Sequence, residues 1–356
     1  MPLHNRIDKR VLKEMIANDP TQRKTVSFYK YFQITEPNVY RDHLYKSWEE
    51  LGCLGRIYLA NEGINAQMNV PLDNWNEWIE HLSSDANLNN VPLKIAVEDD
   101  SKSFYKLKIK VRSKILADGL DDSTFNPWNT GKHLSAEEMN EAIEQGAIVI
   151  DMRNHYESEV GHFDGAITPD ADTFRQELKM VEEMLEGKED QKVVMYCTGG
   201  IRCEKASAYF KHKGFKDVNQ LRGGIIEYAH QVQDNKLTNK YIGKNFVFDE
   251  RLGERISEEV IAHCHQCGEP CDNHTNCENL ECHLLFIQCD ACKEKYEACC
   301  SDECKEIIQL PEEVQRERRK GKRLHGDTRN VFRKGRFNER IDGGLSKASS
   351  VDQMST

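Results

Sequence analysis

A multi-domain α/β protein is predicted from three stretches of the 356-residue sequence. The first hundred or so residues alternate strand and helix patterns in the order βαββαβ. A central apolar run, Val193-Val194-Met195-Tyr196, stops at Cys197-Thr198-Gly199-Gly200-Ile201-Arg202-Cys203, and a helical pattern follows. Farther on, ten of the 13 cysteines crowd between Cys264 and Cys304.

Composition sets the bounds. The length suits two or three domains. A net charge of −11 with 38% hydrophobic residues fits a soluble protein. No apolar run reaches the ~18 residues of a membrane span. The segment Met1-Pro2-Leu3-His4-Asn5-Arg6 has no apolar core, so no secretion signal is expected. Clustered cysteines in such a chain read as metal ligands rather than disulfides, and a cytoplasmic location is expected.

Residues 1–23 are a polar extension, and 24–118 form the first domain. Val26–Phe32 alternates as a strand, and Pro37 opens a helix through Leu51. Gly55–Ala60 and Ile64–Met68 are strands around the Asn61-Glu62-Gly63 turn. Pro71–Leu82 is helical, with Trp75, Trp78, Ile79 and Leu82 on one face. Pro92–Val97 is a fourth strand, which completes a ferredoxin-like sandwich. Phe104–Val111 adds an extended segment. Two features point to RNA. Phe28, Tyr29 and Tyr31 on the sheet could stack bases, or some of them are core. Lys102, Lys106, Lys108, Lys110, Arg112 and Lys114 recur with a period near two, a phosphate track or a solvated face.

The second domain, 119–245, is built around Cys197. Ser135 with Glu138 three residues on is a capping box, and Ile148–Ile150 is a strand. Cys197 sits at a strand end, two glycines turn the chain, and a helix begins. Backbone N–H groups in such a loop converge as an anion cradle, with the helix N-terminus adding positive potential. That environment favours the thiolate. Cys197 is therefore the candidate nucleophile, Arg202 a candidate catalytic cation, and Thr198, Gly199, Gly200 and Ile201 the candidate substrate-binding residues. Arg202 would hold an anionic intermediate or favour the thiolate, or else pair with the Glu157 or Asp151 region. Cys203 is either a resolving thiol or a core residue. His162 and Asp164 match part of an iron triad, a reading set aside in favour of a structural His162.

The pattern Asp151-x-Arg153-x3-Glu157-x3-Gly161-His162-x2-Gly165-Ala166, followed by the Cys197 loop, resembles the rhodanese superfamily over residues 130–235. The resemblance implies a doubly wound parallel sheet with the active loop at a strand's carboxyl end. Rhodanese sulfurtransferases are known for six-residue loops and the related phosphatases for seven. Cys197 to Arg202 is six residues, which disfavours a phosphatase.

Residues 246–310 form a Cys-rich region. Cys264-x2-Cys267 and Cys289-x2-Cys292 are two knuckles 21 residues apart, close to zinc-ribbon spacing. Cys277, Cys282, Cys300 and Cys304 are further candidate ligands, and with Cys271, Cys299 and His263, His265, His274 and His283 nearby there are donors enough for a second site, their pairing left open. One or two structural zinc ions are expected, with an iron–sulfur cluster as the alternative. So short a segment needs a staple to fold. The final 311–356 stretch is a basic, partly disordered tail. Its residues 311–340 hold 11 Lys/Arg against 5 Asp/Glu, with Phe332 and Phe337 interleaved. It reads as an RNA-ordered or a solubilising tail.

Taken together, Tyr196–Lys205, Leu221-Arg222-Gly223-Gly224-Ile225-Ile226, the Cys-rich block and the first domain resemble the bacterial rhodanese-type tRNA uridine-34 5-hydroxylases. This resemblance implies oxygen-dependent 5-hydroxylation of the wobble uridine, molecular oxygen as co-substrate, and an essential cysteine matching Cys197. The partner implied is tRNA, with no DNA and no membrane. The sequence contains no dinucleotide fingerprint and no haem motif, so no redox cofactor is evident. A persulfide sulfurtransferase acting through Cys197 and a non-catalytic RNA-binding scaffold remain as alternatives.

Overall fold

The computed structural model describes residues 7, 9–320 and 337. It falls into two compact units. The first comprises residues 1–158, 162–241 and 245–257, and the second 159–161, 242–244 and 258 onward. Among the described residues no helix is long and apolar enough to cross a membrane.

The first unit begins with α1 (Lys9–Ala17). A sandwich follows, made of β1 (Arg23–Tyr31), α2 (Pro37–Glu50), β2 (Leu54–Ala60), β3 (Gly63–Pro71), α3 (Trp75–Ser84), β4 (Lys94–Ile95) and β5 (Leu107–Val111). The sheet order is β4-β1-β3-β2-β5, the ferredoxin-like order with β5 added parallel to β2. One face of the sheet supplies Val26, Phe28, Ile57, Leu59, Ile64, Ala66, Met68 and Ile109, which pack with Trp48 and Trp78 from the helices. The fourth strand is shorter than expected. Pro92 has no N–H to give a ladder, and only Lys94 and Ile95 pair with β1. The last strand likewise begins at Leu107, not Phe104, so the basic stripe is shorter than the sequence suggests. Lys102 instead donates to the Ala17 carbonyl, and Lys114 is held by Asp118 and Asp122 at 2.8 and 3.1 Å.

The second sheet is parallel, with order β6-β10-β9-β7. Its elements run β6 (Lys132–Leu134), α4 (Ala136–Glu144), β7 (Ile148–Asp151), α5 (His155–Ser158), β8 (Gly161–Phe163), α6 (Phe174–Met184), β9 (Lys192–Tyr196), α7 (Ile201–His212), β10 (Asp217–Leu221) and α8 (Gly224–Asn235). Ser135 caps α4 with both bonds of the capping box. Strand β9 is apolar on both faces, as a central parallel strand must be. Val193, Met195 and Cys197 face α6 and α7, while Val194 and Tyr196 face α4 and α8. Helices on both faces make this the doubly wound sheet expected. A further sheet has the order β12-β11-β8, with β11 at Tyr241–Asn245 and β12 at Glu254–Arg255.

The second unit contains the hairpin β13 (His274–Asn276) and β14 (Leu285–Ile287), then α9 (Asp290–Lys295), α10 (Asp302–Ile308) and α11 (Glu312–Arg319). Its core is small: Leu284, Phe286 and five buried cysteines, with Ile308 and Phe337 packed against them. Phe337 stacks on Phe286 at 5.7 Å between ring centres. The other tail residues singled out beyond Lys320, among them Lys322, Arg323, Arg329, Phe332, Arg333, Lys334, Arg336 and Arg340, lie outside the described residues.

Candidate active site and metal centres

Cys197 ends β9 and is only 1% exposed. The chain turns at Gly200, whose φ of 97° lies in the left-handed region, and this brings its N–H to the Cys197 Sγ at 3.1 Å. Burial pushes the thiol pKa up. Donation from the Cys203 thiol, the Arg202 charge and the N–H groups of Cys203 and Arg202 overrule it and bring the pKa down to about 6. The thiolate predicted from the loop is thus the resting form near neutrality. Cys203 is fully buried in the core beside it and serves as its donor.

The signature residues around the loop hold it in place. Arg202 makes a two-pronged ion pair with Glu157 at 2.6 and 2.8 Å, and reaches Thr198 Oγ1 at 3.4 Å. Both its terminal nitrogens are engaged, so the guanidinium acts on Cys197 through its charge. Arg153 and Asp151 form a second buried pair at 2.6 Å, and the Tyr196 hydroxyl donates to Asp151. His162 Nδ1 is spent on the Ser158 carbonyl at 3.0 Å, a structural role. The Gly223-Gly224 turn lies against the loop. Ile225 and Ile226 donate to the Cys197 and Thr198 carbonyls, and a Cβ on Gly224 would stand 2.4 Å from the first of these oxygens. Of the loop residues expected to face substrate, Thr198, Gly199 and Ile201 are half-buried, and Gly200 is buried.

The open face of the first sheet meets this loop, which corrects one expectation. Phe28 is core, packed against Trp48 and Trp78. Tyr29 donates to Glu204 at 2.9 Å, and Tyr31 meets Trp128 edge to face. Neither ring is a free platform for a base, because the second sheet's helix α7 covers them. Glu204 also accepts from His133 and Gln220 at 3.0 and 3.1 Å. Buried Lys205 bridges Glu62 and Asp122 at 2.9 and 2.8 Å. Lys94 lies over the Tyr29 ring at 4.5 Å. Burial lowers its pKa to about 8, against the opposing pull of Cys197, Glu204 and Glu227. No local pattern announces Lys94 or Tyr29 as neighbours of Cys197.

Glu177 is not signalled by any motif, although a glutamate between Phe174, Leu178 and Val181 on the apolar face of α6 is a usable signal. It is fully buried, and neither carboxyl oxygen has a partner. Burial holds its pKa well above the usual carboxylate range, opposed by Arg202 and reinforced by Asp151, Glu157 and Cys197. The folded protein therefore keeps a proton that the unfolded chain loses above pH ~4.3. Stability from this group is full below that pH and falls as pH rises toward the folded value. Glu177→Gln should thus gain on the wild type by about 1.4 kcal/mol per pH unit over that span. Thermal melts of both proteins at pH 5 and pH 8 check it, and a constant gap between the curves would count against a protonated Glu177.

The cysteines of the second unit form two quartets, Cys264/Cys267/Cys289/Cys292 and Cys277/Cys282/Cys300/Cys304, each with all sulfurs within 4.8 Å of one another. Sulfur–sulfur separations are 3.6 Å for Cys267–Cys289 and Cys282–Cys300, and 3.7 Å for Cys300–Cys304. A tetrahedron of thiolates at a zinc–sulfur distance of about 2.3 Å has edges near 3.8 Å. The donor sets fit one ion each and leave no room for a multi-iron cluster. Backbone N–H groups of Cys289 and Cys300 also point at the sulfurs of Cys264 and Cys277. Cys271 and Cys299 belong to neither set.

Three family profiles match the chain: a UPF0176 acylphosphatase like domain at residues 23–115, a rhodanese-like domain at 135–231 and a rhodanase C-terminal region at 242–305. A protein of Leptospira interrogans is 56% identical over 322 residues, which cover 90% of this chain and 88% of its own. One from an Enterobacter species is 54% identical over 95% of this chain and 97% of its own. A third, from Photorhabdus laumondii, is 51% identical over 98% of each. All three are named tRNA uridine(34) hydroxylase.

Proposed function

This chain belongs to the tRNA uridine(34) hydroxylase family, and from that premise we propose that it hydroxylates C5 of the wobble uridine at the Cys197 loop, with molecular oxygen as co-substrate. The observation that carries the reading is identity above one half along nine-tenths of the chain. The site supports it. A buried thiolate at the end of β9 is a nucleophile at neutral pH. Thr198, Gly199, Gly200 and Ile201 hold the base beside it, and Arg202 keeps Cys197 ionised while Glu157 anchors the guanidinium. The two cysteine quartets would hold zinc, which would staple the second unit.

One observation favours a second reading. A reactive thiolate in a six-residue loop also suits persulfide transfer. One oxygen atom enters C5 and the other leaves as water at the expense of two electrons and two protons, so the assay includes an added two-electron reductant. Nucleoside mass spectrometry of tRNA treated with purified protein and that reductant under heavy-isotope oxygen separates the two readings. The expected product is 5-hydroxyuridine carrying one heavy oxygen atom. A thiolated nucleoside would replace this reading with sulfur transfer, and a hydroxyl without the isotope would remove oxygen as co-substrate.

A further inference from the structure

The open face of the first sheet carries a row of side chains in register across all five strands. Lys94 on β4 lies opposite Ser27 on β1, Ser27 opposite Gln67 on β3, Gln67 opposite Arg56 on β2, and Arg56 opposite Lys108 on β5. Strands lie about 4.8 Å apart, so the row spans roughly 19 Å. One end touches the catalytic loop, where the Lys94 Cδ is 3.5 Å from the place a Cβ on Gly199 would occupy. The middle of the row, Ser27, Gln67 and Arg56, is polar and half-buried.

The other end is a crowd of cations. Burial, then Lys110, Lys106 and Arg56, push the Lys108 ammonium down to about 8. Among the described residues, no carboxylate forms an ion pair with Arg56, Lys106 or Lys108. Glu250, which shares the neighbourhood of Tyr105 with Arg56, is taken by Lys13 at 2.5 Å. Arg56 donates one N–H to the Phe248 carbonyl at 3.0 Å, and cations gathered this closely in a protein of net charge −11 favour an arriving anion. In the next row Tyr58 lies opposite Lys110, with Arg112 over the Tyr58 ring at 5.7 Å. Cations for phosphates, the Gln67 amide for a base edge or ribose hydroxyl, and the Tyr58 ring nearby suit single-stranded RNA.

We propose that this row is the track on which the single-stranded anticodon loop of the tRNA lies, with phosphates on Arg56 and Lys108 and the target base led past Lys94 to Cys197. The inference rests on the reading of the chain as a tRNA uridine hydroxylase. It assigns the RNA interface to the first sheet and not to the tail.

The test measures binding of an anticodon stem-loop RNA with uridine at position 34 to the full-length protein, across a range of salt concentrations. Every cation withdrawn from a phosphate flattens the slope of log K against log salt by about one unit. The Arg56→Gln/Lys108→Gln protein should therefore lose about two units of slope and bind at least about tenfold more weakly at low salt. Lys108→Arg should keep both. An unchanged slope in a natively melting double variant overturns the track. Should the double variant fail to fold, photocross-linking of thiouridine-substituted loop RNA to the wild type decides. Cross-links on β2 or β5 support the track, and cross-links confined to residues 311–340 overturn it. Hydroxylation by the wild type is assayed alongside. Its absence refutes the functional reading, whereas its presence with an unchanged slope refutes the track alone.

Discussion

Replacing Cys197 with serine should lower the rate of uridine hydroxylation at least about a thousandfold, the scale of losing a nucleophile, while melting temperature and tRNA binding should stay close to wild type. The substitution removes little volume from a site that is 1% exposed, so the core around Val193, Met195 and Ala206 has no cavity to accommodate. What changes is ionisation. The Cys197 thiol loses its proton at about 6 because Cys203, Arg202 and two backbone N–H groups stabilise the thiolate. A serine hydroxyl in the same place remains protonated. The pH profile follows the same logic. Iodoacetamide labelling of the Cys197 peptide, read by mass spectrometry, should rise with pH to a midpoint near 6 and then level off. Cys203→Ala withdraws a donor and should move that midpoint upward. A serine variant with more than about a tenth of wild-type turnover would remove Cys197 from the chemistry, and a midpoint near the ~8.5 of a free thiol would remove its activation.

The second large effect concerns the metal. Cys282→Ser should cost the protein about one zinc per chain and the cooperative melting of its second unit. Structural zinc supplies roughly 10–16 kcal/mol to small folds of this kind. The apolar core available to replace it is little more than Leu284, Phe286 and Ile308. Cys271→Ala and Cys299→Ala are the decisive controls. Both residues are buried cysteines in the same region, yet neither lies in a quartet, so both variants should retain two ions. Colorimetric zinc release on thiol modification counts the ions directly. Equal metal content in Cys282→Ser and Cys299→Ala would break the assignment of the second quartet. Iron in the purified wild type would replace zinc in both.

Local features of this protein were legible in the sequence because neighbours in the chain create them. The capping box at Ser135 needs only Glu138 three residues on. The strand, turn and helix around Cys197 need only their own apolar period and a glycine able to reach φ 97°. The two cysteine knuckles follow from ligand spacing, since two residues between thiols let both reach one ion. Even the parallel sheet shows in the Val193–Tyr196 run, which is apolar on both faces because helices cover both.

Other features were decided by tertiary structure alone. Tyr29 and Tyr31 read equally as core or as an RNA platform, because a period of two says that a side chain leaves the sheet and not what meets it there. The fold laid helix α7 over them, and Glu204 and Lys205 fastened the contact. Lys94 reaches the Cys197 loop through strand pairing between segments far apart in sequence, an arrangement no local spacing encodes. The row from Lys94 to Lys108 exists only once five strands are in register, since each residue in it comes from a different strand. Glu177 holds its proton to higher pH than an exposed carboxyl because the surrounding elements buried it, without a partner, beside Asp151, Glu157 and Cys197. Sequence thus determined which chemical groups this protein carries and the local shapes that present them. The tertiary structure decided which groups share a dielectric and a charge balance, because those depend on distances through space that close only when the core forms.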